Sequence, residues 1–283
     1  MSAAYSSALP QRASARQLSD WRKLSTKKGR RESGQLLLEG ARLVAEAVAS
    51  NFTVPAVVIS DDERGHAAWR KLSPTATKRS IPAFVVAPTE FEKLADTVHA
   101  AGIGCVLDWK PPVFDPAKSA STLKRVLVCD RIADPGNLGT LIRTAAAFGL
   151  DAVILLPETA ELTNPKTVRA AAGALFHIPV YDEVAASTVA TWAQRANIAI
   201  IVADAHRGNP AIPPVGGRWA LVIGGETLPL DRAWDKSASH WLSLPLERGI
   251  ESLNAGIAGA VIMDRLCRVS PAPRPSHRRQ ERT

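Results

Sequence analysis

Residues able to do chemistry gather in two blocks of the sequence. One begins with Gly224-Gly225-Glu226, continues through Leu244-Pro245-Leu246-Glu247-Arg248-Gly249, and closes with Ser252-Leu253-Asn254. Its glycines and prolines interrupt the apolar runs Ala220-Leu221-Val222-Ile223 and Trp241-Leu242-Ser243-Leu244, as buried strands do where they break into functional loops. After it comes a small-residue apolar segment, 255–266, with helical spacing. Ser252 or Asn254 suits the N-cap of that helix, where a side-chain oxygen accepts from a free backbone N–H. Two strand ends and a helix start, all bearing glycine or short polar residues, make a ligand pocket at the edge of an α/β sheet. The other block runs from Asp130 to Gly149. There a strand ends at Cys129, Pro135-Gly136 turns the chain, and a helix starts near Asn137. Arg143 follows Asn137 by six residues, nearly two helical turns.

Other chemistries are poorly supplied. Gly136 and Gly139 do not make a dinucleotide fingerprint, and no GxGxxG occurs in the chain. The six histidines form no HExxH or similar cluster, so no metal site is expected. Cys105, Cys129 and Cys267 are too scattered for a disulfide framework or a zinc spacing and read as core thiols. With 283 residues and 46% apolar content, the chain can hold one large or two ordinary domains. No run approaches the roughly 20 apolar residues of a membrane span, and the first residues lack a signal peptide's apolar region. A cytoplasmic protein without membrane attachment is therefore expected. The formal charge of +8 is unevenly placed. Residues 1–31 carry eight basic side chains against Asp20 alone, and residues 271–283 carry four arginines against Glu281. Basic arms on a near-neutral body suit contacts with phosphate.

Positioning the two blocks requires alternating strands and helices. Residues 1–31 read as a basic N-terminal arm, disordered over 1–16 and helical over 17–28. A small α/β unit over 32–108 is expected to hold strands at 35–38, 55–60, 83–87 and 103–107, with helices at 40–50, 61–72 and 89–95. The stretch 109–122, with Pro111, Pro112 and Pro116, reads as a linker. The larger unit, 123–268, has expected strands at 125–129, 152–156, 177–180, 198–203, 220–223 and 241–244. Its helices fall at 137–148, 165–172, 184–196 and 255–266. Such alternation implies a mainly parallel sheet flanked by helices. The Pro/Arg-rich tail, 269–283, reads as disordered.

Taken in order, Asn137 to Gly149, Gly224-Gly225-Glu226, and Leu244-Pro245 through Ser252-Leu253-Asn254 resemble the three motifs of the SpoU (TrmH-like) RNA ribose 2′-O-methyltransferases of the SPOUT superfamily. The stretch from Asn164-Pro165-Lys166 to Leu175-Phe176 is similar to that family too, and the resemblance covers about residues 123–267. Leu38-Glu39-Gly40, opening a helix, resembles the ribosomal-protein-like substrate-binding domain of many members.

The resemblance implies an α/β fold with a C-terminal trefoil knot, an exception to the rule against knots. It also implies S-adenosylmethionine bound in a bent form, two chains pairing to complete each site, and structured RNA as substrate, rRNA ahead of tRNA. It puts cofactor contacts at Gly224, Leu244 and Leu253, with Ala203 and Leu246 beside them. Its active-site positions are Asn137, Arg143, Glu226, Ser252 and Asn254. In that chemistry a ribose hydroxyl approaches a methyl carbon in line, and positioning supplies most of the catalysis. An arginine, with a pKa above about 12, is a reluctant base. Arg143 is therefore expected to hold the 2′-oxygen and a neighbouring phosphate and to stabilise developing charge. Asn137 would orient Arg143, Ser252 and Asn254 would hold phosphate or cofactor near the helix start, and Glu226 would anchor its loop or Arg143. RNA contacts are expected at Arg30, Arg31, Arg131 and Arg248.

Two departures stand out. The family's Gly-x-Gly-Leu after the glutamate is here Thr227-Leu228-Pro229-Leu230, and Arg248 takes the usual glycine place of the third motif, with Gly249 one residue later. The alternative is an RNA-binding protein of the same fold without turnover.

Overall fold

In the computed structural model the described residues are 10–95 and 101–269. The disorder expected for 1–9 and for the tail beyond Val269 lies outside them. By their contacts the described residues form two compact units. One contains the residues up to Lys110 together with Glu161–His177; the other contains Pro111–Ala160 and the residues from Ile178 onward.

The first unit carries strands β1 (Gln11–Arg12), β2 (Gln35–Glu39), β3 (Ala56–Ser60), β4 (Ala83–Val86) and β5 (Ile103–Asp108). Its helices are α1 (Ala15–Lys23), α2 (Lys27–Ser33), α3 (Ala41–Ala49), α4 (Glu63–Lys78) and α5 (Pro88–Leu94). The sheet order is β1-β4-β3-β5-β2, parallel across β1, β4 and β3 and antiparallel where β5 meets its two neighbours. β3 lies in the middle, and its Ala-Val-Val-Ile-Ser is buried throughout. β2 sits at an edge and alternates, with Leu36 and Leu38 inward.

The basic arm departs from expectation. Residues 10–16 are not disordered: β1 adds to β4, and Ser14 caps α1 in a reciprocal capping box with Gln17. The single helix expected over 17–28 is two, because Thr26 caps a new start by accepting from the Gly29 N–H.

The second unit carries β6 (Arg125–Asp130), β7 (Ala152–Leu155), β8 (Val180–Tyr181), β9 (Ala199–Ala203), β10 (Trp219–Gly224) and β11 (His240–Leu242). They form one wholly parallel sheet, in the order β11-β9-β10-β6-β7-β8. In chain order the helices from here are α6 (Pro116–Thr122), α7 (Pro135–Ala147), α8 (Pro165–Ala171), α9 (Ala186–Arg195), α10 (Trp234–Ser237) and α11 (Ala255–Val269). All but α8 belong to the second unit. β6 and β10 read as continuous apolar runs because the sheet is covered on both faces. Trp192, Trp219 and Trp234 are fully buried in the surrounding core. The stretch expected as a linker contains α6, which starts at Pro116 behind an Asp115 cap, as proline suits a first helical position. α11 packs on α7 and β10, and its small residues let it come close: a Cβ on Gly259 would lie 2.3 Å from Leu141 Cδ2.

Helix α8, with Asn164 accepting from the Lys166 N–H, sits in the Glu161–His177 segment that packs with the first unit. There Phe176 meets Phe52 edge-on at 5.5 Å, and Phe52 stacks on Trp109 at 5.4 Å. Cys105 and Cys129 are buried, which pushes both thiols up, whereas Cys267 is only partly buried and is not a core thiol. Among the described residues no helix is long and apolar enough to cross a membrane, and no cluster of metal-ligating side chains occurs.

Candidate active site

Because every strand of the second sheet runs the same way, β6, β9, β10 and β11 end at one edge, where ligands of open α/β sheets bind. The loops leaving them surround a cavity of about 1050 Å³. Ala203 comes from the end of β9, Gly224 from the end of β10, Leu244 and Leu246 from the segment after β11, and Leu253 from the residues before α11. All five expected cofactor residues line this cavity, as do Glu226 and Ser252. β11 ends at Leu242, so Ser243 and Leu244 leave the ladder and turn into the site. The wall combines Ile223, Leu244, Leu246, Leu253 and Ile262 with Ser243, Ser252 and the carboxylates of Asp204, Glu226 and Asp231. That mixture fits S-adenosylmethionine: apolar surface for an adenine ring, carboxylates for a sulfonium and an ammonium.

Of the five active-site positions, Asn137, Glu226 and Asn254 are joined at the start of α11, Ser252 stands on the cavity wall, and Arg143 lies apart. Asn254 is the side chain that caps α11. Its Oδ1 accepts from the N–H groups of Gly256 and Ile257, at 3.1 and 3.3 Å. Its Nδ2 donates to Asn137 Oδ1 at 2.9 Å, which ties α11 to α7. Glu226 Oε1 accepts from the Ala255 N–H at 3.3 Å, so its charge rests on the positive end of the α11 dipole. Ser252 is exposed at the cavity wall. Arg143 is exposed on α7 and, among the described residues, has no hydrogen-bond or ion-pair partner. The expected orientation of Arg143 by Asn137 is not found. Asn254 occupies the Asn137 oxygen, and six residues of helix put about 9 Å of rise between Asn137 and Arg143. Nor does Asn137 cap α7, which starts two residues earlier at Pro135. Asp134 is the cap, accepting from the Asn137 N–H at 2.8 Å.

The arginines expected at RNA divide as sharply. Arg30 is only 6% exposed and makes a forked pair with Glu161 at 2.9–3.0 Å, while its Nη1 donates to the carbonyls of Leu24 and Ser25. It is a structural cation rather than a phosphate contact. Arg31, one residue on, is exposed. Arg248 is exposed and adopts φ 59°, and Gly249 follows at φ 72°. The backbone thus keeps the left-handed turn that glycine favours at the family's motif-three position, although the side chain there is arginine. Arg131 is mostly enclosed and held by carboxylates. Burial works against its charge, but the Glu158 hydrogen bond and the nearby Asp130, Glu158 and Asp231 carboxylates prevail and push its pKa up.

Two features escaped the sequence. Asp130, 1% exposed at the end of β6, accepts through Oδ2 from the Asp231 N–H at 2.7 Å and the Trp234 Nε1–H at 2.8 Å. An acid closing an apolar strand was its only signal. Arg207 lies 3.7 Å from the Trp241 ring centroid and donates to Asp235 at 2.9 Å, a cation–π arrangement with no local sequence signature.

Comparison with known proteins agrees with this geometry. Residues 124–264 match the family model described as the SpoU rRNA Methylase family, and residues 16–104 match an MRM3-like substrate binding domain. The 23S rRNA (guanosine(2553)-2′-O)-methyltransferase RlmP of Bacillus subtilis is 33% identical over 245 residues, which is 86% of this chain and 93% of that protein. The 23S rRNA (uridine(2479)-2′-O)-methyltransferase of Streptomyces viridochromogenes is 28% identical over 248 residues, 85% of each chain. Among solved structures, the SpoU methyltransferase AviRb from Streptomyces viridochromogenes in complex with AdoMet superposes with a TM-score of 0.73 at 25% identity, covering 90% of this chain and 98% of that one. An AdoMet-bound rRNA methyltransferase from Sinorhizobium meliloti shares the fold, with a TM-score of 0.78 at 22% identity over 89% of this chain and 94% of that one. With a relative this similar along nearly its whole length, and the three motif regions meeting at one sheet edge, the chain belongs to the SpoU rRNA methylase family.

Proposed function

We propose that this protein is an S-adenosylmethionine-dependent methyltransferase that methylates a ribose 2′-hydroxyl of rRNA, acting as a cytoplasmic homodimer. One observation carries the reading: five residues from four separate segments, assigned to the cofactor by motif alone, line a single cavity at the carboxyl ends of parallel strands. Gly224, Leu244, Leu246, Leu253 and Ala203 would hold the cofactor, which supplies an electrophilic methyl carbon when bound. Glu226, Asn254 and Asn137 fix the start of α11 and its junction with α7, so the loop carrying Ser252 and Leu253 has a rigid base. Arg143 would bind the ribose 2′-oxygen and an adjacent phosphate, lowering the energy of the oxyanion as its proton leaves to water.

Arg143 has no partner among the described residues of one chain and is not part of the cavity wall, which supports a site completed by a second chain. Ile257 on α11 and Ile250 before it are more than half exposed, apolar surface of the kind that pairing covers. A trefoil knot accords with the way the segment after β9 grips β11. Asp204 and Asn209 donate their N–H groups to the carbonyls of Leu242 and Trp241, both at 3.0 Å.

The test combines calorimetric titration with S-adenosylmethionine, sedimentation, and mapping of 2′-O-methyl groups in rRNA with and without the gene. Cofactor binding, a dimer and one lost rRNA methyl group are expected. RNA binding without cofactor binding would instead leave a non-catalytic RNA-binding protein.

A further inference from the structure

The loop of residues 225–231, which departs from the family's glycine pattern after Glu226, is fastened at both ends to Asp130, the last residue of β6, and to Arg131, which follows it. At its start, the Gly225 N–H donates to the Asp130 carbonyl at 2.9 Å, and a Cβ on Gly225 would lie 2.0 Å from the Arg131 carbonyl oxygen. No side chain fits between them. At its end, the Arg131 Nη1 donates to the Pro229 carbonyl at 2.7 Å, and its Nη2 lies 3.5 Å from Asp231. The Asp231 N–H is held in turn by the buried Asp130 carboxylate. Asp130 Oδ1 is buried without a hydrogen bond, and the Arg131 guanidinium, 3.8 Å away, is the cation that compensates it. Arg131 itself adopts φ 55°, a left-handed backbone that aims its fork back across the loop, and Glu158 fixes the Nε edge at 2.9 Å. Between the two fastenings Leu230 is pressed over Gly224, one of the cofactor positions.

We infer that Asp130 and Arg131 form a clamp that sets the affinity of the cavity for its cofactor by holding residues 225–231 as a preformed wall. Arg131 is thus a positioning residue and not an RNA contact. The glycines usual in this loop let a backbone reach an unusual conformation by itself. Thr227-Leu228-Pro229-Leu230 has none, so its path is imposed from outside by the fork and the carboxylate. A wall already in place removes an ordering cost from binding, and its loss weakens affinity without touching the reacting atoms.

The inference rests on the cavity holding S-adenosylmethionine, and its test separates the two. Hydrogen exchange of the free protein needs no ligand. Arg131→Ala should speed exchange at the amides of residues 226–233 while α7 and β9 keep their protection. In methylation assays the variant should raise the KM for S-adenosylmethionine by about 10-fold or more, with kcat within about 3-fold of wild type and RNA affinity unchanged. Arg131→Lys keeps the charge but cannot reach Glu158 and Pro229 together, so it should fall between the two. If Arg131→Ala does not fold, Arg131→Lys and Asp231→Asn decide the same question by exchange and KM. Unchanged loop exchange and unchanged KM would overturn the clamp, as would a loss confined to RNA affinity. Wild-type protein that fails to bind S-adenosylmethionine would instead overturn the cofactor reading, whatever the loop does.

Discussion

Replacing Arg143 by lysine keeps a positive charge and helix propensity but loses the planar fork that can hold a hydroxyl oxygen and a phosphate together. Single-turnover methylation at saturating RNA should slow by roughly 100-fold or more, the scale for losing a preorganised oxyanion donor. Cofactor affinity should hardly move, because Arg143 is not part of the cavity wall; near-normal turnover would remove it from the mechanism. A second contrast compares adjacent arginines. Arg30→Ala strands Glu161 beside an empty, buried space, and removing one partner of such a pair costs roughly 3–5 kcal/mol. Arg31→Ala should leave stability within about 0.5 kcal/mol while weakening RNA binding. Thermal melts of both variants with a filter-binding curve check this, and equal melting shifts would refute it. Sequence alone cannot separate these two residues, since a run of basic side chains does not say which turn of the helix faces inward. A cap before α11 is readable from short polar residues ahead of an apolar helical segment, but Ser252 and Asn254 suit it equally in sequence, and the hydrogen bonds to Gly256 and Ile257 select Asn254.

At the scale of elements, the strands were legible wherever they were long and apolar. β6, β9 and β10 lie in the middle of a parallel sheet, so both faces select for Val, Ile and Leu. β1 was not legible, because two edge residues carry no periodicity. α6 was missed because prolines signal a linker as readily as a helix start, and only Asp115 before Pro116 distinguishes them. The loop between β9 and β10 yields the element-scale prediction. Ser243 donates its N–H to the Asn209 carbonyl at 3.1 Å and its hydroxyl to the Gly208 carbonyl at 2.9 Å. A Cβ on Gly208 would come within 2.2 Å of the Leu242–Ser243 peptide, whose backbone cannot step aside. Gly208→Ala should therefore destabilise the second unit by about 1–3 kcal/mol and weaken cofactor binding, since Ser243 and Leu244 line the cavity. Calorimetry of folding and of cofactor binding tests it, and a variant with wild-type values for both would contradict the close packing.

For the whole molecule, charge at the chain ends makes a prediction independent of the cavity. Removing residues 270–283 deletes Arg274, Arg278, Arg279 and Arg282 and none of the described residues. RNA affinity should fall and its dependence on salt flatten, because fewer counterions are released on binding, while the cofactor's Kd stays constant. An unchanged salt slope would show that this tail does not touch phosphate. The sequence changes pattern near residue 109, beside the Lys110 boundary between the units, but nothing in it marks the place of Glu161–His177 in the first unit, because its apolar residues are equally compatible with either core. That return bears on how the protein is made. The chain passes between the units after Lys110, after Ala160 and after His177. On the ribosome the first unit is thus first to emerge but cannot be completed early. Until Glu161 leaves the exit tunnel, the Arg30 guanidinium waits in a half-built interior without its carboxylate, and β6, α7 and β7 emerge in the meantime. Beginning to fold and finishing are separated here by more than fifty residues of translation, an interval in which a chaperone or a pause has something to protect.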